Sequence, residues 1–156
     1  MVTNPSEYTK RFEVVEVNVC CEGFSSLITK PELLKEAIYL VEIGGVDLAG
    51  CFVNRTPVVT QSFTTEQGMN KFYKELAKVL TSKLLEGFSD KDAELVYGKY
   101  ETLTEELKEI IDSFAKEYIQ KNIYKKLADV GYKKLIHKLV LVGGGAIALE
   151  RYLKED

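Results

Sequence analysis

The chain has 156 residues, of which 46% are hydrophobic and 29% charged, and its formal net charge is −3. This length is enough for one domain with a sizeable core, and so mild a charge gives no reason to expect nucleic acid or an acidic substrate as a ligand. The N-terminus is polar and no run of about 18 apolar residues occurs, so neither a signal peptide nor a membrane span is predicted.

The first predicted elements cover the chain up to residue 36. Residues 1–10 are expected to form a flexible lead. Alternating apolar residues over 11–19 predict a strand. A loop is expected over 23–27, and Pro31 suits the first turn of a short helix over 31–36.

A β-meander is predicted next, with strands over 37–43, 47–54 and 57–63. The first two strands are joined by Gly44-Gly45, and such a glycine pair suits a tight antiparallel turn. Taken alone, this pair is therefore interpreted as a simple hairpin turn.

Two long helices are predicted after the meander. The segment from Thr64 to Gln67 has the Thr-x-x-Gln pattern of a capping box, and the helix that follows is expected to end before Gly87. A weaker helix is expected over 89–97. Thr102 to Glu105 has the pattern of a second capping box, and its helix is expected to end at Gly131. The aromatic residues of both long helices lie at core spacing and are assigned no ligand.

The last predicted elements are a strand over 138–142 and a helix over 147–153, joined by a second glycine loop, Gly143-Gly144-Gly145-Ala146. Glycine lets backbone N–H groups approach a ligand without a Cβ in the way, and a helix N-terminus adds partial positive charge. Two such loops in one small chain together suggest a nucleotide held by backbone groups. This interpretation requires that both loops lie on one side of a single sheet.

The three cysteines, Cys20, Cys21 and Cys51, contain no pair at CxxC spacing, and the chain has one histidine. Cysteines of this number and spacing are typical of buried thiols in a reducing compartment, and they do not form a zinc motif. The sequence therefore predicts a cytoplasmic protein.

Two further features have alternative interpretations. His137, beside the last strand, is interpreted as a structural histidine in preference to a catalytic base. The lysine-rich stretch over 116–138 is expected to be a solvated helix face, with contact to a neighbouring subunit or an anionic partner as the alternative.

The order of these elements resembles the second, C-terminal domain of the actin-like ATPases, in particular the plasmid-segregation actins of the ParM or StbA type. Leu40 to Gly45 resembles that family's second phosphate loop, and Gln67-Gly68-Met69 resembles the start of its helical subdomain. The segment from His137 to Ala146 resembles its adenosine loop. Residues 15–22 are similar to the strand and turn that precede the phosphate loop.

The resemblance implies an α/β fold, one half of the actin-like (ribonuclease H-like) architecture. This half would contain a mixed β-sheet with an antiparallel meander, further helices and a helical insert subdomain. The domain would span 11–156, with its sheet core over 11–63 and 132–156 and its insert over about 64–131. The family's first domain, which carries another phosphate loop, is not found in these residues, so the chain is expected to be half of a longer protein.

The resemblance also implies a nucleotide site for ATP or GTP with Mg²⁺. Backbone groups of both glycine loops would bind the nucleotide: Gly44, Gly45, Val46, Gly143, Gly144, Gly145 and Ala146. Glu42 would take the catalytic position and hold Mg²⁺ through a water molecule, with Asp47 as the second candidate for the acid.

The phosphate loop departs from the family pattern, which has Asp at the position of Glu42 and threonines where Val46 and Asp47 stand. The extra methylene of Glu moves a carboxylate by about 1.5 Å, a misplacement that can lower the rate on the order of 10²-fold. ATP and Mg²⁺ are expected as cofactors only together with the first domain, and the chain alone is expected to bind nucleotide weakly or not at all, because half of the phosphate contacts would be absent. The 156-residue chain alone is expected to show no ATPase activity above that of a Glu42→Ala control.

By resemblance, the parent protein would be a filament-forming ATPase that segregates plasmids or other DNA. Its partners would be further copies of itself and a DNA-bound adaptor protein, with no direct contact to nucleic acid or membrane. One alternative is a non-hydrolysing scaffold or cytoskeletal module of the same fold, suggested by Glu42 and Val46. Another is half of a different actin-fold ATPase or kinase.

Overall fold

The computed structural model describes residues 13–15 and 23–154 of the chain. Within these residues, four strands form one mixed sheet in the order β3-β2-β1-β4, which confirms the predicted α/β fold with an antiparallel meander. The lead over 1–10, most of the strand predicted over 11–19, and both Cys20 and Cys21 lie outside the described residues. Residues 13–15 are exposed and have no regular secondary structure.

The sheet consists of β1 (Ala37–Ile43), β2 (Leu48–Asn54), β3 (Thr56–Thr65) and β4 (Lys138–Val142). The first three strands pair antiparallel in succession, and β4 pairs parallel with β1. The predicted bounds of β1 are confirmed, and those of the other strands are correct to within two residues.

β1 is buried on both faces of the sheet, which explains its continuous apolar sequence. Ile38 and Leu40 face one side, where they pack in a small cluster with Leu27 and Cys51. Residues 39, 41 and 43 face the opposite side and the main core, because successive side chains of a strand alternate between its faces.

The helices between β3 and β4 are α1 (Met69–Leu84), α2 (Asp90–Gly98), α3 (Glu105–Ile119) and α4 (Lys125–Asp129). A π-helical turn, Gln120–Tyr124, connects α3 to α4 and makes one helical run over 105–129. Gly131 ends this run with a φ of 96°, and the N–H of Tyr132 donates to the carbonyl of Leu127 over 2.9 Å. This is the glycine-based helix ending that the sequence predicts.

Both predicted capping boxes are wrong in position. Thr64 and Thr65 belong to β3, where they pair with Ala49 and Leu48, so α1 begins only after Gly68. The second long helix is capped by Thr104, whose side chain accepts from the N–H of Leu107, and Thr102 lies in a preceding 3-10 turn. In both cases the strand or turn before the helix is longer than the pattern indicates.

Two other predictions are corrected at the ends of the described region. Residues 23–27, predicted as a loop, mostly lie in a 3-10 helix, Phe24–Thr29, which is followed by a second one, Pro31–Lys35. The helix after β4 begins at Gly144 and not at residue 147. It is divided into α5 (Gly144–Ala148) and α6 (Glu150–Leu153).

The main core joins the inner face of the sheet to the helices. Phe72 of α1 is fully buried, and its ring lies 5.2 Å from that of Tyr118 on α3 and 5.2 Å from that of Tyr97 on α2. The predicted core role of these aromatic residues fits their burial. Among the described residues, no helix has the length and apolar character needed to cross a membrane.

Candidate functional site

The two glycine loops lie side by side at one end of the sheet. Glu42 pairs with Val142 in the parallel ladder of β1 and β4, so both strands end at the same edge. An ideal Cβ placed on Gly143 would lie only 2.7 Å from the carbonyl oxygen of Ile43. The loops therefore meet the geometric condition on which the nucleotide interpretation depends.

The hairpin loop after β1 is bonded through its carbonyl groups to the start of α1. The N–H groups of Gly68, Met69 and Asn70 donate to the carbonyls of Val46, Gly44 and Gly45 over 2.9, 2.9 and 2.7 Å, respectively. These bonds satisfy backbone donors at the beginning of a helix that has no side-chain cap. The hairpin thus replaces the capping box that the sequence suggested.

The same bonds determine where the hairpin's own N–H groups point. In a trans peptide the C=O and the following N–H point in opposite directions, and the described residues contain no cis peptide. Because three successive carbonyls point toward α1, the N–H groups of Gly45, Val46 and Asp47 point away from it. Successive N–H groups on one side of a turn form a concave anion-binding surface.

Gly44 does not contribute an N–H group to this surface in the present conformation. Its N–H donates to the carbonyl of Asp47 over 2.9 Å and closes the hairpin. Gly45 and Val46 are exposed, whereas Gly44 and Asp47 are half-buried.

The glycines of the two loops differ in what surrounds them. Gly143 and Gly145 abut Ile43, since an added Cβ would approach the Ile43 carbonyl oxygen to 2.7 and 2.8 Å, respectively. A Cβ added to Gly144 would meet no other group within 4 Å, and a Cβ added to Gly45 would come no closer than 3.9 Å, to the side-chain oxygen of Asn70. Close packing therefore explains why residues 143 and 145 are glycines. It does not explain the glycines at positions 45 and 144.

A groove of about 580 Å³ extends from the second glycine loop along α5 and α6. Most of its lining is apolar, and two of the predicted binding residues, Gly143 and Ala146, contribute to it. Gly145 is buried beneath the loop, so its side of the backbone is not accessible from this groove.

The two candidate acids differ in position: Glu42 lies in β1, before the hairpin, whereas Asp47 is the residue whose carbonyl closes the hairpin. Glu42 is half-buried and belongs to the face of the sheet that carries Leu40 and the 3-10 helices. An ideal Cβ on Gly23 would lie 2.9 Å from its Oε2 atom, so the carboxylate packs directly against the Gly23 backbone. No group of three or more His, Cys, Asp or Glu side chains suited to a metal ion occurs within 13–15 and 23–154. A water-mediated metal role for Glu42 remains a prediction.

Tyr118 connects α3 to the start of α1 beside the hairpin. Its hydroxyl donates to the carbonyls of Gln67 and Gly68, at 2.9 and 3.3 Å. Burial raises the pKa of this phenol, and the nearby Glu75 carboxylate raises it further. The neutral hydroxyl is thus the form that holds Gly68 against the hairpin.

His137 is remote from the glycine loops because it precedes β4, whereas the loop follows it. Its Nδ1 accepts the N–H of Lys133 over 2.9 Å, and its ring lies 5.1 Å from that of Tyr39. These contacts agree with the structural role expected from the sequence.

Sequence reasoning missed three contributors to this region: Gly23, Tyr118 and the main chain of Asp47. Tyr118 was assigned to the core because its spacing fits the apolar stripe, and spacing carries no information about its hydroxyl. The direction of the Asp47 N–H depends on bonds between residues far apart in sequence, so no local motif reveals it.

Comparison with known protein families gives one match that covers most of the chain. The family described as archaeal actin homologue MreB-like, C-terminal, matches residues 46–155. No curated protein sequence matches the chain.

Several solved structures share the fold. The archaeal actin homologue Ta0583 superposes with a TM-score of 0.59 at 15% identity, covering 82% of this chain and 43% of its own. Apo psk41 ParM gives 0.56 at 16% identity, covering 80% and 35%. Bacillus thuringiensis ParM with ATP gives 0.51 at 16% identity, covering 77% and 38%. The chain thus spans less than half the length of these proteins.

Proposed function

The chain belongs to the family of archaeal MreB-like actin homologues, whose C-terminal domain it matches, and from this premise we propose that it forms one half of a nucleotide-binding cleft. In this proposal the hairpin loop contacts the phosphates of ATP or GTP, and the second glycine loop contacts the nucleoside. The other half of the cleft would come from a first domain of the parent protein. The single observation that carries the proposal is the set of three hairpin N–H groups directed away from α1.

These three N–H groups suit a phosphate because they are adjacent, exposed or half-buried, and not used by the hairpin itself. Gly45, Val46 and Asp47 would therefore donate to phosphate oxygens, while Gly44 would act by keeping the turn closed. Backbone donors of this kind bind phosphate in many glycine-rich loops. The proposal differs from the sequence expectation in replacing the N–H of Gly44 by that of Asp47.

The open space around Gly45 and Gly144 supports the same proposal. At neither position would a neighbouring protein atom exclude a Cβ, and both glycines are exposed. A side chain at either position would fill space that a ligand in contact with the backbone needs. Gly143 and Ala146 would line the nucleoside side, where the groove of about 580 Å³ begins.

Mg²⁺ would supply charge neutralisation for the phosphates. Glu42 would hold one of its waters, with Asp47 as the second candidate acid. The contact of Glu42 with the Gly23 backbone limits how far this longer carboxylate can adjust. This restraint favours slow hydrolysis, and it supports a non-hydrolysing scaffold or cytoskeletal module as the second candidate function.

The parent protein would associate with itself, as proposed for an actin-like filament. Segregation of plasmid or other DNA through a DNA-bound adaptor is one role for such a filament, and a cytoskeletal role is another. The family match to archaeal MreB-like proteins does not favour the plasmid-specific role over the cytoskeletal one.

Amide chemical shifts of the 156-residue chain provide the test, because they detect weak binding by half a cleft. Titration with Mg²⁺-ATP is expected to shift the amide resonances of Gly45, Val46, Asp47 and Gly144. Gly87 and Gly98 serve as internal controls, since a Cβ added to either would also meet no other group within 4 Å, but both lie in the helical insert.

A Gly144→Val variant is expected to lose the nucleotide-induced shifts, while a Gly98→Ala variant keeps them. Saturating Mg²⁺-ATP that left the four loop amides unmoved, or that moved Gly87 and Gly98 equally, would disprove binding at this site. If the nucleotide-induced shifts are confined to the loops but persist in the Gly144→Val variant, the second loop is not part of the binding site.

A further inference from the structure

We propose that a basic loop of one copy docks into an acidic groove of a second copy. The basic loop comprises residues 133–137, between α4 and β4, and the acidic groove lies between α1 and α3. This inference rests on the proposed self-association of the actin-like parent and names the surfaces that perform it.

The basic loop presents two apolar side chains next to two lysines. Leu135 is 99% exposed and Ile136 is 70% exposed, and Lys133 and Lys134 directly precede them. The ion pairs within the described part of the chain do not involve these two lysines. Adjacent exposed aliphatic residues flanked by cations form a small amphipathic tip.

The loop is held in one shape by its own hydrogen bonds. The N–H groups of Ile136 and His137 both donate to the carbonyl of Lys133 over 2.9 Å, and the N–H of Lys133 donates to the His137 ring. That ring packs against Tyr39 of the sheet. A loop fixed in this way loses little conformational entropy when it docks.

The acidic groove has a volume of about 520 Å³ and combines an apolar part with an acidic rim. Val79, Ile110 and Phe114 supply the apolar part. The exposed carboxylates of Glu106, Glu109 and Glu117 line it as well, and Lys83 is the single cation among the lining residues. The groove therefore offers an apolar pocket for the loop tip and negative charge for its lysines.

The loop cannot reach the groove of its own chain. Ile110 and Asp129 belong to the same helical run over 105–129, so about 1.5 Å per residue places the groove roughly 30 Å from the end of the helix where the loop begins. Because loop and groove are different surfaces, their contact joins copies head to tail, the arrangement that forms open chains or rings.

An anionic membrane is a less suitable occupant of the loop. Two apolar side chains and two nearby lysines give only a weak surface anchor, and stable attachment usually needs two stronger signals. The groove, by contrast, matches both the apolar and the charged part of the loop.

Sedimentation velocity of the complete 156-residue chain tests the docking. One loop in one groove is a small contact of the weak class, so the protein is studied at concentrations up to about 1 mM, the range of such dissociation constants. Wild type is expected to associate with rising concentration and to dissociate at high salt, because the contact is partly ionic.

Charge reversal on either side is expected to weaken association on the order of 100-fold, since like charges then face each other. The loop variant carries Lys133→Glu with Lys134→Glu, and the groove variant carries Glu106→Lys with Glu109→Lys. Mixing the two variants is expected to restore association, because each loop then meets a groove of opposite charge. Circular dichroism of both variants checks that they fold.

A matched control reverses two exposed lysines, one in α2 and one directly after it, Lys91→Glu with Lys99→Glu, and is expected to associate like wild type. Wild type that stays monomeric over the whole range would overturn the docking, and binding to phosphatidylserine vesicles that the loop variant loses would then assign the loop to a membrane. Association that both reversals leave intact would overturn these surfaces while retaining self-association. Neither result alters the amide-shift test of nucleotide binding.

Discussion

The hairpin loop of Gly44 to Asp47 and the loop of Gly143 to Ala146 lie side by side, yet their main chains meet different neighbours. The hairpin turns its carbonyls toward the helical insert, where they bond to the first N–H groups of α1. The second loop presses two glycines against Ile43 of β1. Each loop therefore has one side that contacts the rest of the protein and one side that is exposed.

The glycines of such a motif therefore fall into two kinds. Some of its glycines exist because another part of the protein is close, and others have no such neighbour. Only the second kind gives a reason to look for a ligand. Substitutions that add a single Cβ separate the two kinds.

The largest effect is expected from Gly145→Ala. The new Cβ would meet both the side chain and the carbonyl oxygen of Ile43, so β1 and α5 must move apart, and we expect a loss of about 3 kcal/mol in the free energy of unfolding. Gly144→Ala is the control and is expected to raise that free energy by up to about 1 kcal/mol, because alanine favours a helix. Chemical denaturation measures the free energy of unfolding of both variants. Equal losses would show that the two kinds of glycine do not differ.

A smaller effect is expected from Gly68→Ala at the contact between hairpin and insert. Its Cβ would lie 2.6 Å from the carbonyl carbon of Val46 and 2.7 Å from the oxygen of Gly44, so we expect a loss of about 2 kcal/mol. Hydrogen exchange at Met69 and Asn70 should accelerate in parallel, since their bonds to the hairpin weaken. Gly87→Ala, whose added Cβ would meet no other group within 4 Å, is expected to leave that exchange unchanged.

The smallest effect is expected from Tyr118→Phe, which removes the hydroxyl bonded to Gln67 and Gly68. The loss should be about 1 kcal/mol, the usual net value of one hydrogen bond. Tyr73→Phe provides the control, since no hydrogen bond of the Tyr73 hydroxyl is present in the described region. A loss as large for Tyr73 would show that the effect does not come from the bond to the hairpin.

Tyr118 also makes the stability of the fold fall at alkaline pH. Its pKa is raised from 10.0 by burial, so above about pH 10 the unfolded chain releases a proton that the folded chain retains. Stability is therefore present below pH 10 and falls as the pH rises beyond it, less steeply in Tyr118→Phe than in wild type.

Local patterns predicted the elements that depend on local chemistry. A continuous apolar run predicted β1, and Gly131 predicted the end of the long helical run. The start of α1 could not be predicted, because its backbone donors bond to a hairpin about 20 residues away and no side chain marks the place. The neighbouring position of the two loops was a condition derived from the sequence, and the parallel pairing of β1 with β4 satisfies it.

The candidate site was predicted less completely than the fold. The glycines could be named from sequence, but which of their N–H groups are available depends on carbonyl directions set by α1. Residue spacing likewise did not reveal that Gly145 is covered by Ile43. Burial and bonding between distant segments decide these points, and a single sequence does not encode them in any local pattern.

The parallel pairing of β1 with β4 also has a consequence for folding. Glu42 and Val142 are partners in the ladder, so about 100 residues must be arranged before they meet, whereas β1, β2 and β3 pair through short turns. Contacts between residues so distant in sequence form slowly, because closing a long loop costs entropy before any contact compensates for it. The meander and the insert are therefore expected to acquire structure first. The two glycine loops become neighbours only when the last strand is added, so the proposed half of the cleft would be among the final features to form as the chain folds.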